Sequence, residues 1–136
     1  MRPIKFRYTC QNDQDEKDII QKIFTLEQIE EGHFYDWWQN LPDKYFKIVA
    51  RDRFTGLHDK NNKECYENDI ISLSENDRVF YDETLPLYLP VVFHKGTFGV
   101  RWKENFRPLI LCEDEFEIKG NVSANPELLG NPKSDS

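Results

Sequence analysis

Nowhere among the 136 residues is there an apolar run long enough to cross a bilayer or form the core of a signal peptide, and charge begins at once with Arg2, Lys5 and Arg7. The expected location is the cytoplasm, with no membrane partner. Basic residues are also in short supply: 18 Lys and Arg against 25 Asp and Glu leave a net charge of -7. Sequence-independent attraction to nucleic acid needs clustered cations that release phosphate counterions, so this balance disfavours it. Cysteine is limited to Cys10, Cys65 and Cys112, an odd number in no CxxC arrangement, which fits reduced thiols rather than a disulfide framework. There is no GxGxxG, no P-loop, no GxSxG and no Cys-His pair in a recognisable local setting, so nucleotide and acyl-transfer chemistry have no foothold. Neither an enzyme nor a cofactor is expected.

What the chain does have is aromatic bulk. Ten Phe, six Tyr and three Trp are many for this length, enough to dominate one core and leave a surplus for an interface. The length fits a single domain over residues 1–130, followed by a polar tail, 131–136, that has nothing to bury and should fray.

Period-two alternation marks Ile4 to Tyr8 as a strand with one buried face, and the polar stretch from Gln11 to Asp18 reads as a loop. Ile19 to Phe24 reads as a second strand. Thr25 followed by Gln28 makes a capping box, with Phe24 and Ile29 placed as a hydrophobic staple, so a short helix starts at Leu26 and can close at Gly32. His33 to Asn40, with Phe34, Tyr35, Trp37 and Trp38, follows no single period, and Pro42 stops whatever it forms. Alternation returns from Tyr45 to Phe54, which puts Phe46, Ile48 and Ala50 on one face and Lys47, Arg51 and Arg53 on the other. Thr55 to Glu64 is rich in turn formers. Ile70 to Leu73, Val79 to Tyr81, Leu109 to Cys112 and Phe116 to Val122 read as further strands. Val91 to His94 and Phe98 to Trp102 flank Lys95-Gly96 with hairpin spacing, so Phe93, Phe98, Val100 and Trp102 should contribute to the core or to a subunit contact. Asn125-Pro126-Glu127 has the N-cap, N1 proline and first-turn acid of a last helical turn.

Several short strands with only short helices predict a mainly β, antiparallel pseudobarrel, SH3-like in size, with small capping helices. Ile4-Lys5-Phe6-Arg7, then Phe54 to Asn61 with Tyr66-Glu67-Asn68-Asp69-Ile70, then Gly120-Asn121 with Asn125 to Leu129, occur in an order that resembles the YopX proteins of phages and prophages. The resemblance spans nearly the whole chain. Where that family usually has glycine this chain has Asn62 and Asn68, which keeps the backbone logic because Asn tolerates positive φ. The resemblance implies a mostly-β pseudobarrel with small helical caps, encoded in a phage or an integrated prophage of a host bacterium and capable of self-association, and no known reaction.

Within the central block, Thr55, Gly56, Leu57, Asp59, Tyr66 and Asp69 are read as structural turn residues: Gly56 for a positive φ, Asp59 and Asp69 to bind local amides. On this reading Asp59→Asn should be milder than Gly56→Val. Asp52, Asp59, Glu64, Glu67 and Asp69 could also supply a paired carboxylate, although acids in turns more often cap amides. His33, His58 and His94 lack metal-ligand spacing, and no zinc is expected. Arg51, Arg53, Lys60 and Lys63 with Tyr45, and with Phe46 and Phe54 interleaved, form a candidate basic and aromatic surface for a single strand, diluted by neighbouring acids. The leading expectation is a non-enzymatic module acting through protein contacts, with an unidentified protein or a second copy as partner. The alternative is a small nucleic-acid or transcription accessory factor.

Overall fold

The computed structural model describes residues 3–74 and 86–130. Its contacts group the chain into two compact units, Met1–Phe54 and Thr55–Ser136. Antiparallel strands dominate both, in keeping with the mainly β class expected from the sequence. Two expected features, the strand at 79–81 and the tail at 131–136, lie outside the described residues.

In the first unit β1 (Lys5–Asn12) is flanked by β2 (Asp15–Thr25) and by the first part of β3 (Phe46–His58), all antiparallel. The polar stretch read as an eight-residue loop is instead the tip of a hairpin: β1 runs on to Asn12 and β2 begins at Asp15. Its residues are all polar, Asn12 buried and 13–18 exposed, so no apolar alternation marked the strands. Asn12 Oδ1 accepts from the Gln14 amide at 2.9 Å and Asp15 Oδ1 from the Lys17 amide at 3.1 Å, side-chain bonds that stabilise such a turn.

The capping box forms as expected. Thr25 Oγ1 accepts from the Gln28 amide (3.1 Å) while Gln28 Oε1 accepts from the Thr25 amide (2.8 Å), which starts α1 (Leu26–Glu30). Gly32, at φ 88°, takes the left-handed conformation that ends α1 and starts α2 (His33–Gln39) without a linker. Residues three apart on α2 share a face, so Phe34 and Trp37 turn inward. Their rings meet Tyr8 and Phe24: Tyr8–Phe34 centroids are 4.2 Å apart and Phe24–Trp37 5.6 Å.

The alternation read along β3 breaks at a bulge. Cys10 pairs with Ile48 and Thr9 with Ala50, so Val49 has no partner and the phase shifts by one residue. Phe46 and Ile48 therefore face one side of the sheet and Ala50 and Asp52 the other. Ile48, expected inside, is 44% exposed, whereas Asp52 is buried, 3.0 Å from the guanidinium of Arg7 directly across the pair.

In the second unit the end of β3 leads through a tight turn into its sheet neighbour β4 (Glu64–Tyr66). Then come β5 (Asp69–Ser72), β6 (Leu89–Pro90), β7 (Val92–His94), β8 (Thr97–Trp102), β9 (Asn105–Pro108) and β10 (Glu117–Asn121). They form two three-stranded sheets, β10-β5-β6 and β7-β8-β9. Lys95 (φ 49°) and Gly96 (φ 84°) are both left-handed, as a two-residue turn matched to the strand twist requires, and they set the expected hairpin in register with Phe93 opposite Phe98.

The core of this unit gathers Ile71, Val91, Val100, Leu109 and Phe116, all fully buried, with Phe98 close behind and Trp102 partly buried against them. Phe93 lies outside this core, 42% exposed, with its ring against Phe98 at 4.9 Å between centroids, which leaves it the subunit-contact half of the expectation. Leu109–Cys112 is corrected, being a 3-10 turn rather than a strand. Leu109 and Cys112, three apart, point inward while Ile110 and Leu111 stand more than half exposed, the period of three that this helix imposes. A 3-10 turn at Pro126–Gly130 matches the expected last helical turn, although Asn125 Oδ1 accepts from the Asn121 amide instead of capping that turn.

Phe116→Ala should cost about 3–5 kcal/mol, the usual range for emptying a fully buried ring site, and Trp102→Ala should cost less because its ring is only partly enclosed. Denaturant titration of both variants checks the order, and equal losses would contradict the packing described.

Candidate functional site

The signature segment folds around its carboxylates. Asp59 is 1% exposed, and its two oxygens accept three backbone amides: Oδ1 from Asn61 (2.8 Å) and Lys63 (2.9 Å), Oδ2 from Ile118 (3.0 Å). Burial pushes its pKa up, but the Ile118, Lys63 and Asn61 amides together outweigh that and hold it below the ordinary aspartate value. The Asp59 amide itself donates to Lys63 O, and Asn62 turns the corner at φ 63°. Asp69 Oδ2 accepts from the Tyr66 amide at 2.8 Å around Asn68, whose φ is 67°. Thr55 Oγ1 donates to Cys65 O at 2.7 Å and accepts from the Leu57 amide, and Gly56 holds φ 85°. Both asparagines thus occupy the left-handed positions assigned to them. Leu57 and Tyr66 are buried, with the Tyr66 hydroxyl donating to Glu64 Oε1.

The other sequence candidates are dispersed. Asp52 belongs to the first unit and faces Arg7, while Asp59 and Asp69 are each engaged by amides of the second. Of the basic and aromatic set, Tyr45, Arg51 and Arg53 lie in the first unit and Lys60 and Lys63 in the second. Phe46 and Phe54 are buried and offer no open ring faces. Arg51 lies over the Phe6 ring, Lys44 over exposed Tyr45, and Lys60 Nζ is 3.7 Å from Glu117 Oε1. Glu117 is held below its usual pKa chiefly by its hydrogen bond from Lys119. His33 is exposed beside Glu31, and His94 packs on Phe106. Among the described residues no group of three or more His, Cys, Asp or Glu side chains is placed to hold a metal ion.

One surface that sequence reading missed gathers exposed aromatic side chains, on α2 and the loop that follows it. Tyr35 and Trp38, three apart on the outer face of α2, are 56% and 43% exposed with ring centroids 6.5 Å apart. A groove of about 360 Å³ runs from Trp38 to Phe46, bordered by Gln39, Leu41, Asp43 and Lys44. Ile48, on the same face of β3 as Phe46, is also exposed. In the same stretch of chain Glu27, Glu30, Glu31, Asp36 and Asp43 are all exposed, and no Lys or Arg occurs between Leu26 and Asp43. The signal was present as two interleaved i, i+3 aromatic pairs within an acid-only stretch, one pair for the core and one for solvent.

No described helix is long and apolar enough to cross a membrane. A family model described as YopX protein matches residues 4–130. Among solved structures, the crystal structure of protein EF1440 from Enterococcus faecalis is similar, with a TM-score of 0.50 and 18% identity, covering 95% of this chain and 99% of that one. That likeness shows a shared fold. No curated protein matches the chain.

Because both Asp59 oxygens are engaged, Asp59→Asn would set an amide N–H against a backbone N–H and should cost about 1–3 kcal/mol. It is therefore not the mild change expected from the sequence. Gly56→Val should cost at least about 1 kcal/mol through strain at positive φ. Since folding lowers the Asp59 pKa, its contribution is present above the unfolded carboxylate value, roughly 3.9, and disappears as pH falls through the folded value. Thermal melts from pH 7 to pH 2.5 should show this acid-side loss in wild type and a smaller one in Asp59→Asn, and identical profiles would contradict the role given to Asp59.

Proposed function

Since the chain belongs to the YopX protein family, we propose that it is a non-enzymatic phage or prophage accessory module that works in the bacterial cytoplasm by docking a partner protein. The observation that carries this reading is the exposed Tyr35–Trp38 pair beside the Trp38–Phe46 groove, set among acids. Exposed aromatic groups of this kind are costly to leave in water and are enriched at the centres of protein interfaces. The same acids repel phosphate, and burial of Phe46 and Phe54 removes the rings a single strand would stack on, so a nucleic-acid role has less support. The carboxylates of the signature segment serve backbone amides, which supports a structural use of that segment over a catalytic one.

Full-length protein immobilised in lysate from prophage-induced cells should retain a host or phage protein, and a Tyr35→Ser, Trp38→Ser variant should retain at least about tenfold less, since truncating interface aromatics commonly costs more than 1 kcal/mol. Its melting temperature should stay close to wild type because both rings are largely exposed. Equal retention by the variant, or retention of nucleic acid in place of protein, would refute the proposal.

A further inference from the structure

We infer that the seat on α2 takes a basic segment of its partner, a stretch in which Arg or Lys alternates with apolar residues; this rests on the docking role proposed above and specifies its chemistry. Three observations converge. Exposed Glu27, Glu30, Glu31, Asp36 and Asp43 all fall in the stretch from Leu26 to Asp43 that carries the seat's rings and holds no Lys or Arg, with Lys44 the first base after it. Like charges three or four apart on a helix repel, and a cationic ligand converts that repulsion into attraction. Glu31 is 3.2 Å from His33, and Asp43 accepts from the Tyr45 amide at 2.7 Å, contacts that leave both carboxylates exposed to solvent.

The Tyr35 and Trp38 rings meanwhile present open faces to solvent, and a guanidinium laid over an indole is attracted by the negative face of the ring. The chain itself uses this chemistry nearby, with Arg51 over Phe6 at 5.2 Å and Lys44 over Tyr45 at 5.5 Å. Finally, the groove from Trp38 to Phe46 offers a half-apolar channel of about 360 Å³ with Asp43 and Lys44 at its rim, space for one apolar side chain of the segment. An acidic partner or a phosphate backbone would meet repulsion at the acids. A second copy is a poorer fit, since the chain carries a net charge of -7.

The test is a fluorescence and calorimetric titration of the full chain with a synthetic 12-residue Arg/Leu peptide, the same peptide with Glu for Arg, and single-stranded DNA. The expected result is saturable binding of the Arg/Leu peptide alone, weakened at least about tenfold by Trp38→Ala and, separately, by Glu31→Lys with Asp36→Lys, which leaves the rings intact. Binding should also weaken as salt rises from about 0.05 to 0.5 M. Equal binding of the Glu peptide or of DNA, or indifference to both variants, would overturn the inference. So would sedimentation showing a wild-type dimer that Trp38→Ala dissociates, since a second copy would then fill the seat. If the peptide fails while the captured partner still depends on Trp38, the basic chemistry is wrong and the docking role stands. If neither depends on Trp38, both fall.

Discussion

The second unit depends on one buried carboxylate. Asp59 gathers the amides of Asn61 and Lys63, which a turn this tight leaves without strand partners, and the amide of Ile118 from β10. Ile118 sits where β10 slips register against β5: it pairs with Ile71 whereas Gly120 pairs with Ile70, which leaves Lys119 over. A bulge frees backbone groups, and buried backbone groups without partners cost about as much as a lost hydrogen bond. Asp59 supplies the acceptor, and the Lys60 amide donating to Phe116 O at 2.8 Å fastens the same turn a second time. Fully buried Phe116 is thereby fixed one residue before β10 begins.

The first unit is organised differently. Its apolar contacts are largely aromatic, Tyr8, Phe24, Phe34 and Trp37 meeting mostly edge to face or tilted, while on β1 and β3 a charged pair, Arg7 and Asp52, is buried. A buried ion pair adds little net stability because desolvation offsets the attraction, but losing one partner strands the other. Its effect is to fix register: across the Val49 bulge only one alignment sets Arg7 opposite Asp52. The same bulge turns Ala50 and Asp52 to the face opposite Phe46 and Ile48, which is what brings Asp52 across from Arg7.

Local signals in the sequence were legible and phase changes were not. The Thr25–Gln28 capping box, the Lys95-Gly96 turn and the positive-φ positions at Gly56, Asn62 and Asn68 depend on neighbours a few residues away, and each appears where the residues place it. Ala50 was assigned to the wrong face because a bulge leaves no mark in the pattern of apolar residues. Leu109 to Cys112 was misread because four consecutive apolar residues fit a strand as well as a 3-10 turn until the burial of the first and fourth decides. The hairpin at Asn12–Asp15 was hidden because its strand ends are polar, buried Asn12 among them. The seat on α2 was opaque for a further reason: four aromatic residues in five positions carry no period, and only their division between core and solvent gives them separate roles.

The three cysteines carry a consequence of another kind. Cys10 is enclosed in the first unit and Cys65 and Cys112 in the second, all with essentially no exposed surface, and burial pushes the Cys10 thiol pKa up. Alkylating reagents attack the thiolate, so all three are shielded by lack of access, and Cys10 by its raised pKa as well, until their surroundings open. The molecule therefore carries its own clocks. Timed alkylation followed by peptide mapping registers the opening of the first unit at Cys10 and of the second at Cys65 and Cys112, with no label engineered in. Whether the two halves breathe together or separately is written in the order in which those sulfurs react.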